Sequence, residues 1–148
     1  MAQKPKLFVW RFLWPWLPVL AVYAVICWFS AQPGEVSDPQ SGMVRELISA
    51  QWEWVEVLVR KLAHVALFFG LGAAAAFAWL KCGGSSRKAL LRSVVLCAVL
   101  AALDELHQYF VPERAALLTD VLLDTAGAAL GALCAVGLSK TLVKNGKY

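Results

Sequence analysis

Charged side chains are scarce: Asp, Glu, Lys and Arg together make up 16% of the 148 residues, against about 25% in soluble domains. Intrinsic disorder needs low hydrophobicity with high net charge, so this chain is not of that kind. Histidine occurs twice, at His64 and His107. Cysteine occurs four times, at Cys27, Cys82, Cys97 and Cys134, with no CxxC or other metal-ligand spacing. Three of these lie inside apolar runs, where a cysteine packs as a small hydrophobe. Neither a disulfide framework nor a cysteine metal site is expected.

What fills the chain is apolar. Hydrophobic residues reach 60% and mean hydropathy is +0.63. A soluble fold of 16.2 kDa cannot hide that much apolar surface. The composition therefore predicts an integral membrane protein with a single domain over residues 1–148. A net charge of +4 raises nucleic acid as a partner. Membrane topology accounts for the basic residues better, and no nucleic-acid partner is expected.

Four apolar stretches stand out. Phe12 to Ala31 gives 20 residues without a charge, about the length that crosses a bilayer core as a helix. It reads as a retained signal anchor, with Pro15 and Pro18 in its first turns, where a missing amide does least harm. Leu62 to Leu80 gives 19 residues interrupted only by His64. The stretches near 89–110 and 118–138 carry acids, Asp104 and Glu105 in one, Asp120 and Asp124 in the other. Lys4, Lys6 and Arg11, then Lys81, Arg87, Lys88 and Arg92, then Lys140, Lys144 and Lys147 flank these runs. By the positive-inside rule they place both termini and the link near 81–88 in the cytoplasm. The expected fold is all-α: a polytopic four-transmembrane-helix bundle with spans near 12–31, 60–80, 89–110 and 118–138.

Between the first two spans, Val44, Leu47, Ile48, Trp52 and Val55 recur at helical spacing. With Trp52 and Trp54 suited to headgroup level, a short amphipathic helix is expected near 41–56, lying on the outer surface or capping the bundle.

The polar residues of the spans converge. Lys61 and His64 are three apart and share a helix face; Asp104, His107 and Gln108 stand at i, i+3 and i+4; Asp120 and Asp124 stand at i, i+4. Arg114 lies in the connection between the third and fourth runs. At the helical rise, His64, Asp104 and Asp124 fall on the order of 5–12 Å below the outer surface. An ionised group at the bilayer centre costs about 2.5–3.5 kcal/mol on insertion scales. Several facing lipid would offset much of the apolar gain, so they are expected to face inward and pair: Arg60, Lys61 and Arg114 against Asp104, Glu105, Asp120 and Asp124. Small residues allow that approach, with Gly70, Gly72 and Ala73–Ala76 on one helix and Gly127-xxx-Gly131 on another.

The strings Phe29-Ser-Ala-Gln-Pro-Gly34, Arg60-Lys-Leu-Ala-His64, Asp104-Glu-Leu-His-Gln-Tyr-Phe-Val-Pro-Glu-Arg114 and Asp120-Val-Leu-Leu-Asp124-Thr-Ala-Gly127, with Gly131 beyond, resemble the VanZ family of small bacterial membrane proteins. The resemblance implies a four-span bundle in the bacterial cell membrane, in a family associated with resistance to teicoplanin, a lipid-bearing glycopeptide. Lys61, His64, Asp104, Glu105, His107, Gln108, Pro112, Arg114, Asp120, Asp124 and Gly127 match its motif positions. The chain departs from it at Leu67 and Phe68, where related sequences often carry a glutamate and a tyrosine. It departs again at Glu113–Leu117, in place of a Gly-Arg-Ser-Gly-like turn.

Two functional classes remain open on these residues. In one, the site binds or presents a membrane lipid or lipid-linked envelope molecule, or a lipoglycopeptide antibiotic, with Lys61, Glu105, Gln108, Arg114, Asp120 and Asp124 as binding residues. In the other it is an enzyme, with His64 or His107 as general base oriented by Asp104 or Asp124, and Lys61 and Arg114 holding an oxyanion. No serine lies near the cluster and no Ser-His-Asp signature is present, so water or direct transfer would supply the chemistry. A structural clasp or a partner-docking surface is the alternative to both. A metal site is disfavoured by the spacing and by the adjacent cations, proton-coupled transport by the clustering of the acids at one side with no path through the plain inner half, and no cofactor is expected.

Overall fold

A computed structural model describes residues 10, 12–32, 45–112, 114 and 116–144, without the side chains of 45–57 and 143–144. Among the described residues the fold is all-α, with no strand. A 3-10 turn, Trp14–Trp16, leads into α1, Leu17–Ser30; α2 follows at Arg45–Lys81, α3 at Ser86–Tyr109 and α4 at Leu118–Lys144. The parts of the sequence motifs at Pro33, Gly34 and Glu113 lie outside the described residues.

Two helices are long and apolar enough to cross a membrane: Leu58–Lys81 within α2, with 24 residues, and Leu118–Leu142 within α4, with 25. Each reaches about 36 Å or more, beyond the ~30 Å hydrocarbon core. The first apolar run is shorter as a helix than its charge-free length. Pro15 and Pro18 sit in the opening positions of the 3-10 turn and of α1, where proline is tolerated because those amides have no intrahelical acceptor. The turn tightens the chain and the apolar helix covers Trp14–Ser30.

The segment expected as a separate outer helix is instead continuous with the second apolar run. α2 extends unbroken for 37 residues. Residues 45–69 contain neither glycine nor proline, so nothing frees a backbone donor or acceptor to make a bend. A helix lying flat on the outer surface would need such a break. Residues 41–44 and the side chains of Trp52 and Trp54 lie outside the described set.

α2 packs most extensively on α4, then α4 on α3, with α1 against α2. The interior is rich in small residues: Ala75, Ala76, Ala78, Ala89, Ala101, Ala128 and Ala132 are fully buried, with Ile26, Phe68 and Leu71 among them. Large apolar side chains face out, among them Leu20, Trp28, Leu91, Val95, Leu122 and Leu130. Water-soluble cores have the reverse order. Without a hydrophobic force between helices in lipid, small residues let backbones approach and gain dispersion contacts.

The turn from α2 to α3 shows how sequence stops a helix. The Gly83 amide donates to the Leu80 carbonyl at 3.0 Å and the Gly84 amide to the Trp79 carbonyl at 2.9 Å, the paired closure of a Schellman motif. Gly83 sits at φ 84°, where a Cβ meets the following carbonyl. Ser85 then extends (ψ 149°) into the first position before α3. Gly83→Ala should cost about 1–2 kcal/mol, read as a lower thermal midpoint in nanodiscs. No change in midpoint would mean the turn relaxes freely.

Candidate functional site

Three helices bring their polar residues to one end of the bundle. His64 lies six residues into the apolar window that opens at Leu58, and Asp124 six residues into the one that opens at Leu118. Both therefore sit roughly 9 Å along their axes. Asp104 approaches the same level from the far end of α3. That helix stops at Tyr109 because Pro112 follows, and the residue before a proline is pushed out of the helical region. The Val111 amide donates to the Gln108 carbonyl and that of Arg114 to the Val111 carbonyl, at 2.9 and 3.3 Å. The tight turn returns Arg114 over the bundle end.

Asp104 is the hub. Its Oδ2 accepts from Ser30 Oγ at 2.8 Å and from Gln108 Nε2 at 2.9 Å, and Gln108 Nε2 also reaches Ser30 Oγ at 3.2 Å. Arg114 continues the chain of contacts, donating from Nη1 to Gln108 Oε1 at 3.2 Å and from Nη2 to the Phe29 carbonyl at 3.3 Å. His64 stands between two carboxylates, its Nδ1 3.5 Å from Asp124 Oδ2 and 3.8 Å from Asp104 Oδ2. Glu105 Oε2 accepts the Leu117 amide at 2.8 Å, supplying a partner and a negative charge at the start of α4. Lys61 pairs with Asp120, which also lies in the first turn of α4. That pair is partly exposed, so its stabilisation is about 0–1 kcal/mol; it positions more than it fastens.

A cavity of about 200 Å³ opens in this cluster, lined by Arg60, Lys61, His64, Glu105, Gln108, Arg114, Leu117, Asp120, Leu123 and Asp124. Asp104 lies beside it, fully buried, contributing through Gln108 and His64. Burial, with the like charge of Arg60 added, holds the Arg114 guanidinium below its usual pKa; it stays charged at neutral pH. Among the described residues, no group of three or more His, Cys, Asp or Glu side chains is placed to hold a metal ion.

His107 stands apart from these residues. It is exposed, with Leu103 and Leu106, and does not line the cavity. Helical geometry gives the reason. The buried stripe of α3 runs through Cys97, Ala101, Asp104, Glu105 and Gln108. At about 100° per residue, Gln108 lies ~40° to one side of Asp104, within that stripe, and His107 ~60° to the other. Sharing a face with Asp104 does not place His107 on the face that packs. Glu105, on the packed side, is buried.

A family model described as VanZ/LLP1 matches residues 14–140. The chain belongs to the VanZ/LLP1 family. The match takes in all four helices up to Lys140 and every residue that lines the cavity. Family membership and two membrane-length helices point to a VanZ-like membrane protein of the envelope. Comparison with curated proteins and with solved structures gives no match.

Within this VanZ/LLP1 fold, four participants carried no sequence assignment. Ser30 Oγ and the Phe29 carbonyl bring α1 to the site. The Leu117 amide and the Leu123 side chain complete its α4 side. Ser30 falls within the Phe29-Ser-Ala-Gln string, and a hydroxyl at the last turn of an apolar helix was the available signal. Backbone groups and apolar lining give none. The two family departures have different settings: Phe68 is fully buried in the core beneath His64, while Leu67 packs against that core.

Proposed function

We propose that this VanZ-like protein sits in the bacterial cell membrane and crosses it four times, with both termini cytoplasmic. Its polar cavity then faces outward and binds or processes the headgroup of an envelope lipid or lipid-linked molecule. Lys81, Arg87, Lys88 and Arg92 gather at the opposite end from the cavity, supporting this orientation through the positive-inside rule. The observation that carries the proposal is a charged cavity in a bundle whose exterior is apolar. Buried ionisable groups at membrane depth are expensive to retain and mark ligand or ion paths.

Size selects among ligands. About 200 Å³ is below the ~300–1,000 Å³ that enclose drug-sized molecules. A headgroup fits; a lipoglycopeptide does not fit inside. Any effect on such an antibiotic then runs through the lipid surface the two share. To test the proposal, protein purified in nanodiscs is incubated with total envelope lipids and followed by mass spectrometry. Wild-type protein is expected to hold one lipid species that His64→Gln and Asp124→Asn proteins retain about tenfold less. Equal profiles for all three proteins would count decisively against the cavity as the site.

Catalysis is a second reading, favoured by the placement of His64 between Asp124 and Asp104. Carboxylates on Nδ1 leave Nε2 as the ring nitrogen for proton transfer, the general-base arrangement of a His–Asp pair. Product beyond one equivalent per protein, absent with His64→Gln, would select it over binding.

A further inference from the structure

The cavity's charges are unequally satisfied. Lys61 is paired with Asp120, the Asp124 carboxylate faces His64, and Glu105 holds the Leu117 amide. The two arginines differ. Among the described residues Arg114 donates only to neutral acceptors, the Gln108 side chain and the Phe29 carbonyl, and its Nε is buried without a partner. Arg60 has no hydrogen bond or ion pair among the described residues, though it lines the same cavity. It is also close enough to Arg114 for the two like charges to be felt. Asp104 and Glu105 are near enough to offset part of the repulsion between the two guanidiniums, but among the described residues neither carboxylate hydrogen-bonds to an arginine, and an orphaned buried N–H is costly. A dianion between the two guanidiniums relieves both penalties.

We propose that Arg60 and Arg114 form a clamp for a terminal phosphate or diphosphate on a lipid. The inference deepens the headgroup reading above and rests on it. A guanidinium presents its donors as a rigid planar fork matched to phosphate oxygens, and the unpaired Arg114 Nε is one prong of such a fork. Two cations favour a phosphomonoester or diphosphate over a zwitterionic phosphodiester, whose own ammonium group cancels its charge. The lipid chain has an exit: Leu117 and Leu123 line the cavity and are exposed to the apolar exterior at 45% and 47%. The carboxylates that also line the cavity have their own partners, Asp120 with Lys61, Asp124 with His64 and Glu105 with the Leu117 amide, which leaves the donors of Arg60 and of Arg114 Nε for a ligand.

The test uses the full chain in phosphatidylcholine nanodiscs, doped in separate preparations with phosphatidic acid, a polyprenyl diphosphate or phosphatidylserine. Lipid retained on ejection is read by native mass spectrometry, with and without inorganic pyrophosphate. Phosphatidic acid or the polyprenyl diphosphate should be held at least about tenfold more than phosphatidylserine, as charge-assisted hydrogen bonds predict. Arg60→Gln should lower that retention about tenfold, Arg60→Lys should restore part of it, and Arg114→Gln should act like Arg60→Gln. Arg92→Gln, whose guanidinium lies over the Trp79 ring at the opposite end, should change nothing. Because Arg60 makes no hydrogen bond or ion pair among the described residues, a melting point for its variant equal to that of the wild type separates lost recognition from lost folding. Displacement by pyrophosphate would assign the affinity to the phosphate itself; resistance to it would assign a share to the chain. Equal retention of phosphatidylserine, or indifference to both arginine substitutions, would overturn the clamp and leave a lipid-binding cavity. Pyrophosphate bound with no phosphorylated lipid retained would overturn the lipid source. No lipid held from any disc would overturn the headgroup reading itself.

Discussion

Gly131→Val should abolish the close pairing of α2 with α4 and yield little folded protein. A Cβ at Gly131 would collide with the Phe69 carbonyl and lie 3.1 Å from the Ala73 amide nitrogen. At Gly127 it would lie 2.7 Å from the Val65 carbonyl oxygen, and at Gly72 it would strike the Ala128 backbone. These are contacts with backbone on both sides, so no side chain can turn away to absorb them. Overpacking of a side-chain core costs about 1–3 kcal/mol, and a backbone collision on the largest interface belongs at the top of that range or above it. Gly137 is the internal control. A Cβ there has open space, so Gly137→Ala should gain up to about 1 kcal/mol from helix propensity. Thermal melts in nanodiscs should move in opposite directions for the two variants. Gly131→Val melting with the wild type would refute backbone contact between the helices.

The same pair of helices shows what was readable beforehand. Gly127-xxx-Gly131 is visible as a small-residue stripe, and the structure puts it against α2. Gly70 looked equivalent to Gly72 in the sequence, yet only Gly72 meets a neighbour. They lie about 200° apart on the helix, so one cannot serve the interface that the other serves. Composition and hydropathy are one-dimensional properties, and they located the helices over the four apolar runs. Azimuth is relational. It depends on which stripe of each helix packs, and that choice left His107 on the exposed side of α3.

Pairing suffers from the same difficulty. Charge neutrality matched Arg60, Lys61 and Arg114 to acids as a set, but among the described residues only Lys61 of these cations has its carboxylate, Asp120. Arg114 is held by an amide side chain and a carbonyl instead. Which cation finds which acid is decided at the scale of one side-chain length, between helices far apart in sequence. The outer amphipathic segment was legible as helix from its periodicity. Its continuity with α2 turned on what was absent, a glycine or proline between residues 45 and 69.

Asp104→Ala should cost about 3–5 kcal/mol, the range for breaking a buried charge network from one side. Its carboxylate joins Ser30 of α1, Gln108 of α3 and, at longer range, His64 of α2. Removing it leaves the Ser30 hydroxyl and part of the Gln108 amide without an acceptor, and leaves His64 with Asp124 alone. Asp104→Asn keeps one acceptor oxygen and should cost less, about 1–3 kcal/mol. Asp104 Oδ1 is buried with no donor facing it, so an amide nitrogen placed there gives up no hydrogen bond that the carboxylate had. Ser30→Ala alone should cost about 1 kcal/mol. A double-mutant cycle between positions 30 and 104 should then give a coupling of about 0.5–3 kcal/mol. Additive losses would mean the α1–α3 hydrogen bond contributes nothing in the membrane. The distinction matters for ligand studies, because Asp104 lies behind the cavity wall and Arg60 lies in it. Binding lost on substituting Asp104 therefore reports on how the helices are held together. Binding lost on substituting Arg60, with the melting point unchanged, reports on what the cavity recognises.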